Sequence, residues 1–222
     1  MRVAALLILV AALCGCGGYE LKDLAKSDIN TVTDEFIDET RALVRELAEK
    51  LYRRNPDQLQ RGSRDSIEAR VAQLLGAEGN LQFRELGGAE ELEALELVFD
   101  ADFAGDRVFA LVVGLGGMLR RGYGYDSESF MFDRLDPAVL ETSARNTEIL
   151  LWRLKNNRRP DGRHWLITSE YNGTIDNLSF ERLFGKLIAL QDMMARIAGG
   201  GTRRTVTKTV RTATSVFIPL PI

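Results

Sequence analysis

The side chains able to do chemistry are few and loosely grouped. His164 is the single histidine. It stands between Arg163 and Trp165 just after Asp161-Gly162, and without a second histidine it completes neither a zinc site nor a Ser-His-Asp array. It reads as a turn or surface residue. Gly-x-Ser-x-Gly and His-Glu-x-x-His do not occur. The runs Gly114-Leu115-Gly116-Gly117 and Gly199-Gly200-Gly201 lack the Lys-Ser ending or the preceding strand that a phosphate loop requires. The densest grouping is the stretch Gly122 to Phe130, which carries Tyr123, Tyr125, Asp126 and Glu128. Tyrosine faces stack on sugar rings and carboxylates accept sugar hydroxyls, so these four are the candidate ligand contacts. Asp126 and Glu128 could also be the acid and base of a glycan hydrolase, provided a cleft holds them at the required separation. The competing reading folds this loop onto the body and pairs its carboxylates with Arg120 and Arg121. No residue is assigned a catalytic role, and no metal or cofactor is expected.

The last segment, residues 202–222, has a different character. It is rich in Thr and Val and carries Arg203, Arg204, Lys208 and Arg211 without an acidic residue. Val206, Val210, Val216 and Ile218 can share one face of an extended strand, until Pro219 and Pro221 forbid its continuation inside a sheet. With Phe217, these residues form either a strand that adds to a partner's sheet edge or a strap that covers the chain's own body. The basic charge could equally draw the segment to anionic lipid or polymer.

Both cysteines lie at the start of the chain, at positions 14 and 16. Met1-Arg2, the apolar run Val3 to Leu13 and the small Gly15 have the layout of an export signal, and the run is too short to span a bilayer as a stable helix. Leu13-Cys14-Gly15-Cys16 resembles the lipobox of bacterial lipoproteins: a branched apolar residue at −3, a small residue at −1, then the acylated cysteine. Cleavage at Cys14 would put the bulky Leu13 at −1, so Cys16 is the expected lipidation site. The resemblance implies export, removal of residues 1–15 and attachment of diacylglycerol and acyl chains such as palmitate to Cys16. It implies a protein held at a membrane surface of the cell envelope by lipid instead of a transmembrane helix. Under the sorting rule of enterobacterial lipoproteins, Gly17 at +2 implies transfer to the outer membrane. The stretches Leu135-Asp136-Pro137 and Ser143-Ala144-Arg145-Asn146 resemble uncharacterised lipoproteins of Gram-negative bacteria, which adds no activity.

The elements that would position these residues are helical. At 222 residues, 45% hydrophobic and 27% charged, the chain suits one domain with a sizeable core. Its 29 basic and 32 acidic residues give a net charge of −3. Removing Arg2 with the leader makes this 28 − 32 = −4, an acidity that argues against nucleic acid as a partner. After a tether over 16–26, apolar spacing predicts a long helix from Ser27 or Asp28 to the stop at Asn55-Pro56, with Ile29, Val32, Phe36, Leu43, Leu47 and Leu51 on its inner face. Further helices are expected from Ser63 to a left-handed cap at Gly76, over Ala89 to Phe99, from Pro137 behind an Asp136 cap, and over Ser179 to Ile197. Val108 to Leu119 is apolar on every face and reads as a central helix whose glycines mark close approaches of neighbouring backbones. Asn172-Gly173 predicts a small β-hairpin joining Trp165-Leu166-Ile167-Thr168 to Thr174-Ile175. The expected fold is all-α: a bundle of about six helices over 27–201 around a buried central helix, with an extended C-terminal tail. The expected role is a lipid-anchored binding or scaffold module of the envelope, touching an envelope protein or peptidoglycan. A peptidoglycan hydrolase using the carboxylate pair is the alternative.

Overall fold

A computed structural model describes residues 28–62, 66–76, 81–124, 135–171, 174–175, 177–199 and 216–220. Among these residues the fold is all-α, with seven α-helices, one 3-10 turn at Arg84–Leu86 and one hairpin of two-residue strands. The helices are α1 (Asp28–Arg54), α2 (Pro56–Arg61), α3 (Ile67–Gly76), α4 (Glu91–Leu97), α5 (Arg107–Gly122), α6 (Pro137–Asn156) and α7 (Ser179–Ala198). In the hairpin, β1 (Glu170–Tyr171) pairs antiparallel with β2 (Thr174–Ile175), with Tyr171 opposite Thr174.

Helix α5 is the axis of the bundle. Every residue of it except Arg120 and Arg121 is buried, as a helix apolar on all faces must be. Helices α1, α2, α3, α4 and α6 pack on it, and α7 lies across α1 and α6. The main core gathers Leu47, Leu51, Leu74, Leu95, Leu111, Leu115, Leu150 and Phe184. A smaller cluster of Ile37, Tyr123, Leu135, Leu140 and Met194 fills the far end.

Local signals explain most of the boundaries. Asp136 caps α6 by accepting from the backbone N–H groups of Ala138 and Val139, with Pro137 in the first turn. Asp106 caps α5 by accepting from the N–H of Phe109 at 2.9 Å. Some expectations are corrected. Asn55-Pro56 ends α1, yet Pro56 also begins α2, because a residue with fixed φ and no N–H suits a first helical position. Gly76 is the last residue of α3 and keeps a negative φ, so it is not a left-handed cap. Ser66 caps α3, its hydroxyl accepting from the N–H of Ala69 at 3.1 Å. Trp165 to Thr168 is a buried irregular segment and not a strand. Val32 and Trp152, counted with the apolar faces, point outward at 42% and 45% exposure.

Inside the bundle, one buried ionic cluster ties three helices together. The Arg70 guanidinium is wholly buried and lies 3.5 Å from the centre of the Phe109 ring. Its Nε donates to the Tyr52 hydroxyl and to Asp106 Oδ2, both at 3.2 Å, and its Nη2 donates to the same oxygen at 3.1 Å. Its Nη1 donates to Gln73 and Glu85. The Tyr52 hydroxyl donates to Asp106 at 2.8 Å. Burial, reinforced by the neighbouring Asp106, pushes the Tyr52 phenol far above its ordinary range.

Candidate functional site

Of the candidate residues, Cys16, Tyr125, Asp126, Glu128, Val206 and Val210 lie outside the described residues. Tyr123 does not present its ring to a ligand. It is 5% exposed, packed in the smaller cluster with Ile37 and Leu140, with its hydroxyl 3.4 Å from Gln191 Nε2. Arg121 pairs across the bundle with Glu91 at 3.1 Å. Burial pushes the Tyr123 phenol up to about 12 from its usual 10.0. The folded state thus favours the neutral phenol. Tyr123 contributes stability that is complete below pH 10.0 and is lost as the pH rises through about 12. An alkaline titration followed by phenolate absorbance should show Tyr123 and Tyr52 ionising only with cooperative unfolding. Tyr123→Phe and Tyr52→Phe should each remove amplitude from that late step and from no earlier one.

The tail residues that are described dock on the body. Phe217 is 6% exposed and Val216 66% exposed. The Arg153 guanidinium lies 4.6 Å from the Phe217 ring and 4.0 Å from the Phe99 ring, with both terminal nitrogens donating to the Glu96 carboxylate at 2.8 and 2.9 Å. Asn146, fully buried, holds the next residue. Its Oδ1 accepts from the Ile218 N–H and its Nδ2 donates to the Ile218 carbonyl, both at 2.8 Å. One side-chain amide thereby satisfies both backbone groups of Ile218. Asn146→Ala should cost about 1–2 kcal/mol. Hydrogen exchange over residues 216–220 should accelerate roughly 5- to 30-fold.

Sequence reasoning missed a cleft lined by described residues. It has a volume of about 440 Å³ and runs between the α1–α2 junction and the turn after α6. Asn55, Asp57 and Gln58 form one wall, and Arg158, Arg159, Arg163 and His164 form the other. The first wall is fixed from within. Asn55 Nδ2 donates to the carbonyls of Leu51 and Ile167 while its Oδ1 accepts from the Ile167 N–H at 2.7 Å. Gln58 Oε1 accepts from the Arg107 N–H at 2.8 Å. The second wall is a tight turn in which the Arg159 N–H donates to the Arg163 carbonyl and the Gly162 N–H to the Arg159 carbonyl. Gly162 supplies the left-handed conformation at φ 82°.

The charges in the cleft are unevenly matched. Asp161 accepts from the Arg163 guanidinium at 2.8 and 2.6 Å, which holds its carboxyl below the usual range. Glu170 lies 3.4 Å from His164 Nε2 and 3.7 Å from Arg158. Arg159 has no ion pair among the described residues. Its Nη2 donates to the Trp165 carbonyl at 2.9 Å, and its Nε is buried with no acceptor. Arg107 lies over the same indole, at 4.9 Å against 5.6 Å for Arg159. Burial, with Arg159 and Arg61 nearby, pushes Arg107 down to about 10. It donates to the carbonyls of Leu97 and Val98 at the end of α4, where a cation offsets the helix dipole, and to that of Phe103 in the loop that follows. Among the described residues no cluster of His, Cys, Asp and Glu is arranged to hold a metal ion. Compared with known proteins, the chain matches no family model, no curated protein and no solved structure.

Proposed function

We propose that this protein is a lipid-anchored binding module of the bacterial cell envelope, tethered through Cys16 and working through the surface of its helical body. The observation that carries this reading is Leu13-Cys14-Gly15-Cys16 behind a charged start and an apolar run. The mature domain contains no cysteine after Cys16, so its stability comes from packing and polar clusters such as Arg70–Asp106. No described helix is long and apolar enough to cross a membrane, and a lipid supplies attachment by other means, at about 0.8 kcal/mol per buried methylene.

Fractionation tests the anchor. The wild-type protein should sediment with membranes and have a mass that begins at Cys16 and includes diacylglycerol and acyl groups. Cys16→Ala should escape processing at that site and lose the lipid. A Cys16→Ala chain that is still cut there and held as firmly would overturn the reading. Incubation with peptidoglycan tests binding against hydrolysis. The expected result is no new soluble fragments, and fragments that vanish in Asp126→Asn and Glu128→Gln would replace a binding module with a hydrolase.

A further inference from the structure

We infer that the cleft between Asn55-Gln58 and Arg158-His164 is a binding site for the oxyanion group, phosphate or carboxylate, of a small polar ligand, with Arg159 as its anchoring cation. The inference does not depend on the lipid anchor. The cleft volume of about 440 Å³ falls within the range of small-molecule sites, roughly 300–1,000 Å³. One wall is held by the hydrogen bonds of Asn55 and Gln58 to the body and the other by those within the exposed Arg159–Arg163 turn, so a ligand has less to order on binding.

Charge selects the ligand. Arg163 is matched by Asp161 and Arg158 faces Glu170, which leaves Arg159 as the lining arginine with no carboxylate in direct contact among the described residues, its charge felt at longer range by Asp161. A planar guanidinium offers parallel N–H donors suited to two oxygens of one anion. Arg159 Nη2 is held by the Trp165 carbonyl at 2.9 Å, which fixes the guanidinium at the cleft wall, and among the described residues no hydrogen bond engages its Nη1. Arg107, also over the Trp165 ring and repelled by Arg159, adds positive potential that an anion in the cleft would relieve. Asp57 and Glu170 also line the cleft, so the rest of the ligand carries hydroxyl or ammonium donors rather than further negative charge.

The test is calorimetric titration of the full chain, purified in non-ionic detergent, with inorganic phosphate and separately with malonate. Ionic strength is held constant with chloride to remove bulk screening. Saturable one-to-one binding of at least one anion is expected, with the stronger of the two identifying the preferred oxyanion. Arg159→Gln, which keeps a donor for the Trp165 carbonyl, should weaken binding at least tenfold. Arg159→Lys should recover part of the loss, and Arg196→Gln, outside the cleft, should bind as wild type. Thermal midpoints of the variants distinguish lost binding from lost folding. If Arg159→Gln fails to fold, Arg163→Gln, at the exposed rim, is expected to weaken binding by several-fold. Absence of saturable binding by both anions, or equal affinity in the folded Arg159 and Arg163 variants, would overturn the assignment.

Discussion

Replacing Arg70 with methionine should lower the unfolding free energy by about 3–5 kcal/mol, more than any other single polar substitution in the bundle. Methionine keeps most of the aliphatic volume and the contact with Phe109, so the loss is chiefly electrostatic. The Asp106 carboxylate, 2% exposed, would be left in the core with its Oδ2 facing the Tyr52 hydroxyl alone. An isolated buried charge is expensive because water no longer solvates it. The ion pair itself need not be strongly stabilising, since both groups are already desolvated. The double variant Arg70→Met/Asp106→Asn should therefore recover a substantial part of the loss. Asparagine retains an oxygen for the Phe109 N–H, and so the α5 cap, while removing the charge. Arg70→Lys should fall between, because a lysine keeps the charge but not the fork that reaches Tyr52, Asp106 and Glu85 together. Urea unfolding with an unchanged slope is the measurement. If the double variant is as unstable as the sum of the two single ones, the uncompensated carboxylate is not the cause.

The cluster also shows where sequence patterning carries information and where it stops. Apolar residues on every face predict that α5 is central, and Asp136-Pro137 predicts the start of α6; both depend on neighbours within one turn. Arg70 leaves a fainter trace. It falls at the spacing of Ile67, Val71 and Leu74, on the apolar side of α3, where an exposed arginine has no place. Asn146 and Arg153 do the same along the Val139, Ser143 and Leu150 face of α6. A polar residue in the apolar phase announces a buried polar contact, but its partner is not local: Arg70 meets Asp106 36 residues on, and Asn146 meets Ile218 72 residues on. The arginine cleft is still less legible. Arg158 to His164 reads as a solvated turn, because the wall facing it is brought there by Asn55 bonding to Ile167 across 112 residues. Asp126 and Glu128 are paired by sequence proximity alone, and both lie outside the described residues. Tyr123, from the same stretch, is a core residue because α5 continues to Gly122 and carries it against α1 and α7.

The glycines of α5 give the second large effect, and they separate two meanings of the same residue. A Cβ on Gly114 would lie 2.6 Å from the Glu91 carbonyl oxygen and 2.8 Å from the Leu95 nitrogen. Both are backbone atoms of α4, which cannot yield as a side-chain tip can. Glu91 itself sits at φ 43°, a left-handed conformation that costs a non-glycine residue and leaves little slack where α4 begins. Alanine would gain about 1 kcal/mol of helix propensity, yet prising α4 from α5 should outweigh it, for a net loss of about 2–3 kcal/mol. Gly117 meets only ordinary contacts, the nearest the Glu91 Cγ at 3.4 Å, and Gly185 in α7 meets nothing within 4 Å. Gly185→Ala should accordingly stabilise the protein by about 0.5–1 kcal/mol, its backbone already being helical. Thermal unfolding of Gly114→Ala and Gly185→Ala side by side should move the midpoint in opposite directions. Equal stabilisation by both would mean that α4 is free to shift, and that close packing of the two backbones is not what requires glycine at position 114.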